Sequence, residues 1–214
     1  MQFVISHSGG KDSALALCRM AEQGHRPVAM ITTVNRAQQR SWSHGMHQSL
    51  MIAVSESLGI PSIFCECTAE DYAQSFARSL ADAKALGAEA CVFGDIDIEG
   101  HKAWNEGLCH DAGLSCLLPL WQQGREALVR EALDRGIRAL IKVIDKRQLD
   151  ASYLGQDLTW HIVEKMKAAG VDPCGENGEY HTFAYDGPGF AHPIAFEAGE
   201  VVDLGDYQAI DLRV

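Results

Sequence analysis

The run Ser8-Gly9-Gly10-Lys11-Asp12-Ser13 gathers hydroxyls, glycines, a cation and a carboxylate within six residues. It stands between a short apolar strand pattern (Phe3–Ser6) and an apolar helical one that includes Ala14, Leu15, Leu17, Cys18 and Met20. A turn from a strand into a helix N-terminus is an anion site, because the first amides of a helix lack partners and its dipole favours negative charge there. Gly9 and Gly10 would let the backbone approach phosphate oxygens without a Cβ in the way. Ser8 and Ser13 add donors, Lys11 a cation, and Asp12 a carboxylate that can hold magnesium against phosphates. The spacing is neither that of a Walker A loop nor that of the dinucleotide fingerprint.

Two other segments concentrate polar chemistry. Asp95, Asp97, Glu99, His101 and Lys102 follow Gly94 at the end of a short apolar strand, Ala90–Phe93. Acids there suit a helix N-terminus, and Asp95 and Lys102 are also candidates to face a nucleotide or its magnesium. Cys174, Glu176, Asn177, Glu179 and His181 are interleaved with Gly175 and Gly178, which suggest tight turns presenting polar groups. A substrate clamp, with Glu176 or Glu179 gripping an amine or acting as base, ranks ahead of a plain polar loop and of a metal site. No second Cys/His pair of zinc spacing accompanies the cluster. His44 gains interest because its loop should border the nucleotide edge. His7 flanks the glycine turn, where it could add a donor or pack beneath. The four tryptophans read mainly as packing residues, with Trp42 and Trp104 near the site.

The elements that must position these residues alternate along the chain. Strands are expected at Phe3–Ser6, Pro27–Val34, Ser62–Glu66, Ala90–Phe93, Ser115–Leu118 and Ile137–Ile144. Helices are expected at Asp12–Gln23, Met46–Leu58, Glu70–Leu86, a stretch ending near Ala112, Arg125–Arg135 and Asp157–Ala169. Asn35–Gly45 reads as a loop. This order predicts an α/β fold: a doubly wound, mainly parallel sheet spanning residues 1–145, with a small C-terminal α+β lobe over 146–214. Val201–Leu204 and Tyr207–Leu212 read as a terminal hairpin. In such sheets ligands sit beyond the carboxyl ends of the strands, where the three polar segments would meet.

Composition narrows the class. The 214 residues can bury a substantial core. A net charge of −11 argues against a broad nucleic-acid surface. Seven cysteines without Cys-x-x-Cys spacing argue against a disulfide framework. No apolar run is long enough for a bilayer, and no secretory signature opens the chain, so a cytoplasmic location is expected.

The run Ser8–Ser13 resembles the PP-loop of the ATP pyrophosphatases. Together with Gly94–Asn105 and Cys174–Gly189, which looks like a Gly-Glu-x-Gly-Glu-x-x-Thr…Asp-Gly-Pro signature, it resembles the diphthine–ammonia ligase family. Tyr153-Leu154-Gly155 is similar to a further short family element, and the spelling around Cys174 and His181 resembles a short, bacterial-looking branch. The resemblance implies an adenine nucleotide alpha hydrolase-like fold, with ATP and magnesium as cofactors. It also implies adenylation of a carboxylate, small or protein-borne, followed by amide formation with ammonia. ATP would lie on Ser8, Gly9, Gly10, Lys11, Asp12 and Ser13, with Gly94 and His44 nearby and Thr32 and Thr33 at the adenine or ribose. Asp12 would hold magnesium. Lys11, Asp12, Asp95 and Lys102 would serve the chemistry, and Cys174, Glu176, Asn177, Gly178, Glu179 and His181 the acceptor. The branch leaves the acceptor open, since diphthine itself is not expected in bacteria. A tRNA-modifying enzyme using the same loop, a non-catalytic nucleotide sensor and a homodimer also stay open.

Overall fold

Strand β1 (Gln2–Ser6) is the pivot of the architecture. In the computed structural model, which describes residues 1–214, it pairs in parallel with β2 (Arg26–Asn35) on one side and β5 (Ala90–Val92) on the other. β4 (Ser62–Cys67) extends the sheet beyond β2, and β6 (Ser115–Leu117) extends it beyond β5. The parallel order is therefore β4-β2-β1-β5-β6, and the strand order reverses beside β1. Crevices at such reversals, outside the carboxyl ends of the strands, hold ligands in doubly wound sheets.

Helices α1 (Lys11–Glu22), α2 (Gln48–Leu58), α3 (Tyr72–Ala85) and α4 (Glu99–Ala112) connect these strands. The period-2 alternation of a strand sorts residues between the two faces. Phe3, Ile5 and Met30 join one core with Leu15 and Leu50. Val4, Ala29 and Ile31 join the other with Phe76, Leu80 and Cys109. Strands buried on both faces account for the nearly unbroken apolar runs. No helix is long and apolar enough to cross a membrane.

Three elements differ from the sequence expectation. The polar stretch 35–45 contains a two-residue strand, β3 (Arg40–Ser41), antiparallel to Val34 and Asn35. The helix expected from Asp157 starts later, as α6 (Trp160–Ala168), because Thr159 caps it while Leu158 N–H bonds Ala139. The largest difference is β7 (Arg138–Asp145). It was expected in the parallel sheet but forms the interior of a second, antiparallel one. That sheet also contains β8 (Tyr180–Asp186), β9 (Glu197–Leu204) and β10 (Tyr207–Arg213), in the order β8-β7-β10-β9. An apolar run suits a buried strand of either kind, and α5 (Arg125–Asp134) before it imitates a crossover helix. All strand partners of β7 thus lie beyond residue 145, on the other side of the expected division. The expected hairpin is present as β9–β10.

The second sheet packs on the α1 and α2 side of the first. One apolar cluster runs from Phe3, Leu15 and Leu50 through Ile141 and Phe183 to Leu212. β8 lies directly on the glycine turn: Ala184 N–H donates to Gly9 O at 2.8 Å, and Lys11 N–H donates to Thr182 Oγ1 at 3.0 Å.

Candidate active site

A cavity of about 430 Å³ opens at the carboxyl end of β1, between the two sheets. Its floor is the turn into α1. The two glycines there are required by neighbours within the protein as much as by any ligand. Gly9 has φ +84°, and a Cβ on it would lie 2.2 Å from Met46 Cε; one on Gly10 would lie 2.4 Å from His44 Cε1. Gly9 N–H donates to His7 Nδ1 at 3.1 Å, and Gly10 N–H to Ser8 Oγ at 3.3 Å. With Lys11 N–H on Thr182, the Asp12 and Ser13 amides remain without an acceptor at the head of a twelve-residue helix. Two unpartnered amides at a helix head suit an anion. Gly94 packs against this turn so closely that a Cβ would lie 3.0 Å from Asp12 C and Ser13 N.

Lys11 does not project into the cavity as a free cation. It is buried, and its Nζ donates to Asp12 Oδ2 at 2.8 Å and to Cys174 O at 2.5 Å. Burial is the largest single influence and opposes its charge, but Asp12 together with Cys174 and Tyr180 tips the balance and holds the ammonium well above its usual range. Asp12 keeps Oδ1, whose contact is the Cys174 thiol at 3.8 Å. Burial pushes that thiol well above the usual range, so Cys174 is not a thiolate nucleophile.

Three histidines surround the turn. His7 accepts at Nδ1 from the Gly9 amide, which places its proton on Nε2, a buried donor without a partner. His44 Nδ1 donates to Thr182 O at 2.7 Å, and its ring lies 4.8 Å from that of His181. Desolvation lowers His7 and His44 to about 4 and His181 to about 3, so all three are neutral.

The segment 172–179 is a self-bonded loop. Asp172 accepts from the amides of Cys174 and Glu176, each at 3.0 Å. Gly175 has φ +70°, where a Cβ would meet Tyr180 O at 2.7 Å. Arg125 ties this loop to the segment after β5, donating to Asp172 at 2.6 Å and to Asp97 at 2.7 and 2.8 Å. The loop aims Glu176 into the cavity. Its carboxyl is raised to about 7 by burial first, then by the Asp12 charge against Lys11, with Asp95 and Asp97 adding to the rise.

Of the residues singled out from sequence, Ser8, Lys11, Asp12, Ser13, Thr33, His44, Gly94, Asp95, Cys174, Glu176 and His181 line the cavity. The others do not. Thr32 faces away, its hydroxyl bonded to His7 O at 2.9 Å. Lys102 lies on another face of α4, with its Nζ 5.1 Å from the Trp121 ring centre. Glu179 is buried and accepts from both the amide and the side chain of Asn177, each at 3.0 Å; it shapes the loop instead of gripping an amine. Asn177 and Gly178 belong to the same turn. Gly9 and Gly10 act through the backbone described above.

At the aromatic end sequence reasoning placed Trp104 near the site but missed Tyr72, Phe76 and Phe93, and Trp42, expected beside Trp104, does not line the cavity. Tyr72, Phe76, Phe93 and Trp104 line that end, with Tyr72–Trp104 ring centres 5.8 Å apart and Phe76–Trp104 centres 5.5 Å apart. Asp95 accepts there from His101 at 3.0 Å and from Asn105 at 2.9 Å. The i, i+4 spacing of His101 and Asn105 on α4 was the available signal. The cavity therefore has an aromatic end, an amide-lined end and a carboxylate rim, a layout suited to a base, its phosphates and a reacting group.

Known proteins resemble this chain along most of its length. Residues 1–116 match the diphthamide synthase N-terminal domain, and residues 124–207 match the diphthamide synthase C-terminal domain. The diphthine–ammonia ligase of Homo sapiens is 26% identical, over 91% of this chain and 82% of its own length. That of Danio rerio is 27% identical, over 96% of this chain and 90% of its own. The Schizosaccharomyces pombe protein of that name is 28% identical, over 97% of this chain but 38% of its own length. A solved structure from Methanocaldococcus jannaschii, described as a predicted subunit of tRNA methyltransferase, is 17% identical with a TM-score of 0.47, covering 86% of this chain and 96% of that one. With both family domains matched in order across most of its length, the chain belongs to the diphthine–ammonia ligase family.

Proposed function

We propose that this chain is an ATP-dependent ligase that activates a substrate carboxylate and converts it to an amide with ammonia. The observation that carries the reading is the pair of unpartnered amides at the head of α1, open to a cavity that has an aromatic end and a raised carboxyl. ATP would lie with its phosphates on the Asp12 and Ser13 amides and its purine among Tyr72, Phe76 and Trp104. A carboxylate oxygen attacks the α-phosphorus, the bond between α-phosphorus and bridging oxygen breaks, and pyrophosphate leaves. Ammonia then attacks the acyl carbon, AMP departs with the bridging oxygen, and the surplus proton passes to Glu176. A carboxyl near 7 suits that proton transfer at neutral pH. The amides and the His7 Nε2 donor need no reorganisation to meet charge on the phosphates.

Magnesium fits only as a companion of the nucleotide. No three His, Cys, Asp or Glu side chains converge as a metal cage. Asp12 Oδ1, a hard oxygen donor, accepts only a long contact from the Cys174 thiol at 3.8 Å, and magnesium is commonly held by one or two carboxylates plus substrate phosphates. Bound there, the ion would neutralise charge on the departing pyrophosphate.

The test is product analysis with ATP, magnesium, ammonium and a panel of carboxylates, resolved by anion-exchange chromatography. AMP and pyrophosphate that appear only with a suitable carboxylate are expected. ADP and phosphate as the sole products would overturn the reading. Asp12→Asn should lose at least a hundredfold in turnover.

A further inference from the structure

A second cavity of about 370 Å³ shares its wall with the first: Ser43 and His181 line both. Its other sides include Arg40, Lys142, Leu204, Tyr207 and Asp211. Lys142 sits on a bulge of β7. Ile141 pairs with Thr182 and Val143 with His181, so Lys142 is an extra residue between two consecutive partners. Bulges re-aim side chains and recur beside functional sites; this one lies opposite the two β8 residues that close the nucleotide cavity.

Lys142 is 1% exposed, and its amine has neither a hydrogen-bond nor an ion-pair partner. Asp211, the carboxylate on this cavity, is already held by Arg40 and Arg213 at 2.9 Å each. Burial first, then Arg40, lowers Lys142 to about 8 against the pull of Asp211. Burying an unpaired ammonium is costly, and an apolar side chain would serve packing better. Lys142 and Arg40 outnumber the single Asp211 carboxylate here, although the whole chain carries −11. The cavity therefore lacks one negative charge.

We propose that this second cavity seats the acceptor, and that Lys142 binds a carboxylate at the end of the acceptor remote from its reacting carboxyl. The inference rests on the ligase reading above and adds a substrate class to it: an elongated acceptor, acidic at both ends, that passes Ser43 and His181 to reach the nucleotide. A lysine is a point charge with three donors, so the carboxylate would complete its hydrogen bonding.

The test needs no turnover. Glutarate is titrated calorimetrically into the full chain, and a non-hydrolysable ATP analogue is titrated separately. Saturable glutarate binding is expected, at least tenfold weaker in Lys142→Met and clearly weaker in Leu204→Glu, with analogue binding unchanged in both. Leu204 is about half exposed at the cavity rim, so its substitution leaves folding intact and adds a repelling charge even where Lys142→Met fails to fold. Glutarate that does not bind, binds equally to wild type and the variants, or is matched in affinity by inorganic phosphate would overturn the proposal. Failure of the ATP analogue to bind wild type, with glutarate behaving as expected, would strike the ligase reading instead.

Discussion

Glu176→Gln separates a reactive carboxyl from a loop residue by two independent measurements. The amide is nearly isosteric, and the contact that secures Glu176 is its backbone N–H on Asp172, which the substitution keeps. Burial and the Asp12 charge raise the carboxyl from 4.5 to about 7. At ~1.4 kcal/mol per tenfold change in proton affinity, the ionised side chain costs the fold at most ~3 kcal/mol, and partial solvent access reduces this to ~1–2 kcal/mol. Below pH 4.5 the group is neutral folded and unfolded, and wild type suffers no penalty. As pH rises through 7 the stability held by the protonated form is lost. Glu176→Gln should therefore match wild type near pH 4.5 and exceed it at pH 8, with a melting temperature higher by roughly 2–8 °C in differential scanning calorimetry. In kinetics, kcat/KM of wild type should rise with pH through about 7, and the variant should lose both that limb and at least tenfold in rate. A melting difference that is the same at both pH values, or an unchanged limb, would refute the assignment of Glu176 as the proton acceptor.

Three further outcomes follow from the geometry. Gly94→Ala would set a Cβ 3.0 Å from the backbone of Asp12 and Ser13, costing ~1–3 kcal/mol and weakening ATP-analogue binding at least tenfold by calorimetry. Glu179→Leu would orphan two Asn177 donors and lower stability in urea by ~1–3 kcal/mol, with Glu179→Gln intermediate because it retains one acceptor. His7, His44 and His181 are held neutral in the fold but take up protons when unfolded, so stability should be full above pH 6.5 and fall progressively towards pH 4. Chemical denaturation across that range should show the decline, and His44→Gln should reduce its slope.

The legible features were those written locally. Ser8–Ser13 reads as a helix-initiating anion turn from its own residues, and Gly94 announces itself as the break after a buried strand. Thr32 and Thr33 could have been separated, since neighbours on a strand face opposite sides and only one can meet a ligand. Other readings depended on distant contacts. Tyr72 and Phe76 follow the helical spacing of core residues, and spacing says that a side chain points inward, not whether a cavity waits there. Glu176 and Glu179 look equivalent in a line of letters; the positive φ of Gly175 and the Asn177 donors decide which faces the cavity and which is consumed by the loop. β7 was misplaced because sheet membership is set by partners distant in sequence, such as Tyr180 for Ile144 and Tyr207 for Asp145.

The placement of Lys11 changes how the two halves relate. In the sequence reading it serves the phosphates alone; in the fold its amide is bonded to Thr182 and its ammonium to Cys174, so the first residue of α1 is anchored twice to the C-terminal half. Ala184 on Gly9 and His44 on Thr182 add two more ties across the same seam. The glycine turn therefore takes its shape from β8 and from the loop that carries Glu176. A ligand that moved that loop would also pull on the head of α1, because Cys174 stands two residues before Glu176 and holds Lys11 through its carbonyl. In the proposed ligase, acceptor and phosphate binding would therefore be coupled through this one buried side chain, and linkage would require the coupling to act equally in both directions.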